Sequence, residues 1–211
     1  MDITWYGLSC FRLSERGRPS IVTDPFHDNL GLGALKLKSD IVTMSCAEPE
    51  HNYIEAVKGQ PFVISGPGEY EIGGVFITGL ALHDGQASPP RPNVAYHFNY
   101  DNLTALHLGD ATYVPDQSVL QDFGQVNVLL LPVGGGHSLT AAQAADVVAL
   151  IEPHFVIPMH YALPELDLGL EPVEKFLKAL GISKVHDAET LKLTASDLPE
   201  QTQVAVLQPQ R

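Results

Sequence analysis

Ile41-Val42-Thr43-Met44-Ser45-Cys46-Ala47-Glu48-Pro49-Glu50-His51-Asn52 is a short apolar run that opens directly into a loop carrying a thiol, two carboxylates and an imidazole. Four apolar or β-branched residues with no helical period read as a buried strand. A strand that ends in a dense set of ligand atoms is a common way to aim a metal or catalytic group, because the rigid strand fixes the backbone just before it. Whether the loop has that meaning depends on what the other strands deliver beside it.

The rest of the chain repeats the pattern. Apolar runs at 80–82, 103–108 and 155–158 lead to His83, Asp110 and His160, and the run 126–132 is followed by Gly134-Gly135-Gly136-His137. Imidazole together with carboxylate or thiolate suits zinc and other borderline divalent ions. The first half reads as β segments broken by turns: 3–13, a turn at Glu15-Arg16-Gly17-Arg18-Pro19, and 20–23 ending at Asp24-Pro25. A short helix near 52–57, a strand at 61–65, an antiparallel pair at 69–72 and 74–79, and a hairpin of 94–100 with 103–108 follow. The stretch 86–93, with three prolines, is either a lid or a plain loop. The second half alternates strand and helix, with helices over 141–151 and 172–180 and a last strand at 204–207; Thr140-Ala141-Ala142-Gln143 has the form of a capping box. Hairpins followed by strand-helix alternation predict an α/β (α+β) sandwich of sheets covered by helices.

With 211 residues, 45% of them hydrophobic, one domain over 1–211 accounts for the chain. A formal charge of -13 with 12 Lys and Arg argues against nucleic acid and anionic membrane as partners, since phosphate binding needs clustered basic residues. A small neutral or cationic molecule is the expected partner. The amino-terminal stretch lacks a signal-peptide pattern and no apolar run is long enough to span a bilayer, so the expected location is cytoplasmic. Cys10 and Cys46 are too few for a disulfide framework. Cys10, among Leu8, Phe11 and Leu13, reads as a buried apolar residue, and Cys46 as a candidate ligand.

Ile3-Thr4-Trp5-Tyr6-Gly7-Leu8-Ser9-Cys10-Phe11, Thr23-Asp24-Pro25-Phe26, Gly66-Pro67-Gly68-Glu69-Tyr70-Glu71, His107-Leu108-Gly109-Asp110 and Val156-Ile157-Pro158-Met159-His160-Tyr161 together resemble the metallo-β-lactamase-fold superfamily, in particular its small bacterial branch of metal-dependent hydrolases. The resemblance implies a four-layer αββα sandwich of two mixed sheets with the metal site at the open end between them. It implies Asp110 as a bridging carboxylate, His83 as a ligand of a first metal, His51 and His160 as ligands of a second, and Asp24 as the group orienting a ligand. It also implies association into a homo-oligomer. The departures fall on one motif: where the family reads His-x-His-x-Asp-His, this chain reads Cys46-Ala47-Glu48-Pro49-Glu50-His51, and Leu8 stands where the branch commonly has histidine.

Two readings remain open. In the first, Glu50, His51, Asp110 and His160 hold a single zinc, manganese or iron ion, one rather than two, with Cys46, Glu48 and His83 as further ligands. The ion lowers the pKa of a water that attacks a small ester, lactone, amide or phosphoester, and Asp110 orients that water. His137 on its glycine loop is then a substrate-contacting or acid/base group, or else a solvated loop histidine. In the second, the same groups form a hydrogen-bonded cluster with no metal, and the cleft binds a small molecule or a partner protein without chemistry. His107 reads as a satisfied core histidine, and Glu69 and Glu71 as structural.

Overall fold

A computed structural model describes residues 1–82 and 91–210. The first part of the chain forms strands β1 (Asp2–Gly7), β2 (Cys10–Ser14), β3 (Ile21–Thr23), β4 (Leu37–Lys38), β5 (Ile41–Thr43), β6 (Val57–Lys58), β7 (Phe62–Ile64), β8 (Gly68–Ile72) and β9 (Val75–Leu82). Then come β10 (Asn93–Asn99), β11 (Thr104–His107), α1 (Gln117–Gln121), β12 (Val128–Pro132), α2 (Ala141–Ile151) and β13 (Phe155–Met159). The chain ends with α3 (Val173–Ala179), β14 (His186–Ala188), β15 (Thr190–Lys192) and β16 (Gln203–Leu207). One sheet has the order β15-β1-β2-β3-β5-β7, the other β14-β16-β13-β12-β11-β10-β9-β8, and β4 pairs with β6. Strand β1 lies between β2 and β15, with Ile3 opposite Leu13 on one side and Leu191 on the other.

Side-chain alternation along the strands decides which faces meet. Ile3, Trp5, Phe11, Leu13, Ile21, Ile41 and Ile64 enter the core shared by the two sheets. Cys10, Val22 and Val42, between them in sequence, face away into a second apolar cluster with Phe26, Leu32, Leu37 and Val57. Strands β11, β12 and β13 run parallel and read as continuous apolar runs because both their faces are covered. Ala144 and Val147 of α2 and Phe176 of α3 belong to that core. Truncating a buried ring such as Phe11 in such a core costs about 3–5 kcal/mol.

The α/β sandwich of two mixed sheets is the fold, and its helices are few. All three α-helices of the described residues lie in the second half of the chain. The outer face of the six-stranded sheet is closed instead by the β4/β6 pair and by leucines at 30, 35, 163, 166, 168 and 170. Helix α2 begins with the expected capping box: Thr140 Oγ1 accepts from Gln143 N–H and Gln143 Oε1 accepts from Thr140 N–H. No helix among the described residues is long and apolar enough to cross a membrane.

The expected segment 3–13 is two strands. The chain reverses at Gly7 (φ 107°) and Leu8 (φ 48°). The left-handed backbone of Leu8 is held by its carbonyl, which accepts from Trp5 Nε1 at 2.9 Å and from His160 N–H at 3.1 Å. The expected helix near 52–57 is a single 3-10 turn, Ile54–Ala56. Residues 86–90 of the expected lid or loop, and His83, lie outside the described residues.

Both sheets have a parallel part. Strands β3, β5 and β7 in one, and β11, β12 and β13 in the other, send their carboxyl ends toward the same end of the sandwich. The residues just beyond those ends are Asp24, Ser45, Asp110 and His160, and they converge there.

Candidate metal centre

Beyond β3 the backbone enters the left-handed region at Asp24 (φ 41°), which turns its carboxylate toward the loop after β5. Its oxygens are fully committed there. Oδ1 accepts from Ser45 N–H at 2.7 Å, and Oδ2 accepts from Ser45 Oγ at 2.6 Å and from His51 Nδ1 at 2.7 Å. Asp24 and His51 are both buried. Burial alone would raise the Asp24 carboxyl, but the charges of His51 and His107 and the hydrogen bonds of His51 and Ser45 hold it below its ordinary value. Burial likewise opposes the charge on His51, and the Asp24 carboxylate outweighs it and raises the imidazole's pKa. With Nδ1–H donated to Asp24, the Nε2 lone pair of His51 is the one left for a ligand role.

His160 is fixed by a parallel device. It too is left-handed (φ 51°), and its Nδ1 lies 3.1 Å from Ser138 Oγ, whose hydroxyl donates to Asp110 Oδ1. A hydroxyl that donates to a carboxylate can only accept from the ring, so His160 carries its proton on Nδ1 and presents Nε2. Burial and the neighbouring His51 push the His160 pKa down to about 4, so the ring is neutral at pH 7. Asp110 is placed by its own backbone, whose N–H donates to Asn93 Oδ1 at 2.9 Å, while Asn93 Nδ2 donates to Leu108 O at 2.9 Å. Two glycines make the close approach possible: a Cβ on Gly134 would overlap the carbonyl oxygen of His160, and one on Gly109 (φ 60°) would overlap Asn93 and Ser45.

The rings of His51 and His160 lie 5.4 Å apart. Cys46 Sγ, a ring nitrogen of His51 and a carboxylate oxygen of Asp110 lie within 4.8 Å of one another, near the span that one ion at about 2.0–2.3 Å from each donor bridges. Thiolate, imidazole and carboxylate are a zinc-type donor set. In the protein's own field burial and the charges of Asp24 and Asp110 push the Cys46 thiol up to about 12. It therefore becomes a thiolate only with a cation's charge beside it, which is how coordinated thiols behave. The residues present fit a divalent ion.

Residues 2–160 match the family model described as a beta-lactamase superfamily domain. The chain belongs to that family. A member of the metallo-beta-lactamase superfamily from Thermotoga maritima, assigned to the Zn-dependent hydrolases, superposes with a TM-score of 0.81 at 33% identity over 98% of this chain and 97% of its own. A protein of Methanoculleus marisnigri named a UPF0173 metal-dependent hydrolase is 26% identical over 84% of this chain and 89% of its own. The metallo hydrolase Igni18 of Ignicoccus hospitalis shares the fold, with a TM-score of 0.70 at 18% identity over 100% of this chain and 96% of its own.

Within this β-lactamase-superfamily domain the other expected site residues scatter around the centre. Glu48, Glu50 and His137 line a cavity of about 600 Å³ together with His51, Asp110 and His160, a size suited to a small molecule. Glu50 and His160 are outside the tight group formed by Cys46, His51 and Asp110, His160 being tied to Asp110 through Ser138, and His137 is exposed on the cavity wall. His83 lies outside the described residues. His107 is a satisfied core histidine, with Nε2 2.9 Å from Ser9 O and Nδ1 accepting from Gly109 N–H.

Three residues at the centre were not singled out from the sequence: Ser138, Asn93 and Arg91. The guanidinium of Arg91 lies 3.3 Å from Asp110 Oδ2 and 3.8 Å from Glu48 Oε1. No local pattern announces these contacts. The one usable signal for Ser138 was its place in a glycine loop beyond the β12 strand end.

Proposed function

We propose that the chain is a hydrolase whose centre holds one divalent ion, zinc by its donor chemistry, on His51, Asp110 and His160 with Cys46 beside them. Its substrate is a small ester, lactone, amide or phosphoester. The observation that carries this reading is that both imidazoles are tied back through Nδ1, one by Asp24 and one by Ser138, leaving both Nε2 atoms for an ion next to Asp110. Bound there, a divalent ion supplies a Lewis acid and a water acidified toward neutral pH. The chain supplies the rest. Asp110, with Oδ1 fixed by Ser138, orients the water through its cavity-facing oxygen, and the charge of Asp24 keeps His51 in the tautomer that leaves Nε2 free. His137 lies on the same cavity wall, placed to touch a substrate. Cys46 and Glu48 stand where the family motif has histidines, which is why a single ion is proposed.

Elemental analysis of protein supplied with zinc or manganese, without chelator, tests this. About one ion per chain is expected in the wild type and a clear loss in His160→Ala, with hydrolysis of ester or lactone substrates falling in step. No stoichiometric metal in the wild type overturns the reading and leaves the cleft as a binding site alone.

A further inference from the structure

The cavity that holds His51 and His160 continues past Asp110 into a second one, bounded by Met44, Cys46, Asn52 and Ser65. Glu48, Arg91 and Asp110 line both, so Arg91 stands at their junction. Its Nη2 is 3.3 Å from Asp110 Oδ2 and 3.8 Å from Glu48 Oε1. The Cys46 thiol shares that wall and lies within 4.8 Å of an Asp110 oxygen. Two carboxylates that face one point attract a divalent cation, yet the group between them is a guanidinium. An arginine is a permanent cation in a protein, so it offsets the charge of these carboxylates and repels any second cation brought to them. On that side Asp110 faces the guanidinium through Oδ2, while Ser138 holds Oδ1.

We propose that Arg91 is a built-in cation that closes the Glu48 side of Asp110 to a second metal, limiting the centre to one ion. The proposal rests on the preceding reading in taking the His51–His160 side as the end that holds an ion. It gives the departure from histidine at positions 46 and 48 a physical counterpart, since a carboxylate at Glu48 pairs with a guanidinium and a histidine does not.

The test is zinc stoichiometry, by equilibrium dialysis against zinc followed by elemental analysis, read as the difference from wild type. Arg91→Ala is expected to gain one zinc per chain. Arg91→Lys, which keeps a cation there, is expected to match wild type, and Arg91→Ala combined with Glu48→Ala is expected to return to the wild-type count. Equal counts in Arg91→Ala and wild type overturn the proposal; so does an extra ion in Arg91→Lys, or one that persists without Glu48. Arg91→Gln carries the same expectation as Arg91→Ala and replaces it should the alanine variant fail to fold. A wild type that holds no zinc overturns the preceding reading but not this one, which the increment alone decides.

Discussion

Asp24 determines which nitrogen of His51 faces the cavity, and it does so from a buried position through a 2.7 Å contact. Removing one partner of a buried ion pair strands the other, at a cost of about 3–5 kcal/mol, and loss of the group that orients a ligand lowers metal affinity about 10–100-fold. Asp24→Asn is therefore predicted to lower both the midpoint of urea unfolding and the affinity in a zinc titration; an unchanged zinc affinity would mean that the ring is positioned without the carboxylate. His160 makes the pH prediction. Its pKa falls from 6.5 in the unfolded chain to about 4 in the fold, so between those values the unfolded chain binds more protons. The stability contributed is present above pH 6.5 and is lost as pH falls through 4. Metal-free wild type should lose stability over that window in urea titrations, and His160→Gln should show a shallower slope. The sequence made His51, Asp110 and His160 legible because each follows an apolar run. It could not show Ser138, Asn93 or Arg91, since Ser138 meets His160 22 residues away and Asn93 meets Asp110 17 away, contacts that exist only once the strands are paired.

At the scale of elements, what was legible followed length. Strand β13 and helix α2 carry their own signals, a buried apolar run and a Thr140/Gln143 capping box. Strands β4 and β6, of two residues each, have no period to read. The segment 3–13 reads as one β segment because Leu8 is apolar and gives no local sign of a turn; tertiary contacts of its carbonyl impose the reversal. The capping box offers a direct check. Thr140→Ala removes a hydroxyl that satisfies one of the free N–H groups of α2, which costs about 1 kcal/mol, or roughly 2–4 °C in melting temperature for a chain of this size. Calorimetry on the metal-free protein should show that drop, and a variant that melts like wild type would mean that packing alone fixes the helix start.

At the scale of the whole molecule, the centre draws Asp24, Cys46 and His51 from beyond strands of one sheet and Asp110 and His160 from beyond strands of the other. An ion held there ties the two sheets together, so it stabilises the fold by mass action as well as supplying chemistry. At a free ion concentration of about 100 times Kd the gain is about 2.7 kcal/mol, or roughly 5–10 °C in melting temperature. Thermal melts with and without chelator should differ by that amount, and the difference should vanish in His160→Ala. The sandwich itself was legible because hairpins early and strand-helix alternation late leave few other architectures. The sparse helical cover of the six-stranded sheet was not, because leucines in loops carry no period.

The pairing of β1 with β15 bears on how the protein is made. The β1/β2 hairpin is made well before β15, yet the partner of Ile3 on its outer side is Leu191. Until β15 has been made, the six-stranded sheet shows an open edge there, the kind of surface on which nascent chains associate with one another. The pace of synthesis between β2 and β15 therefore sets how long each new molecule is exposed to aggregation.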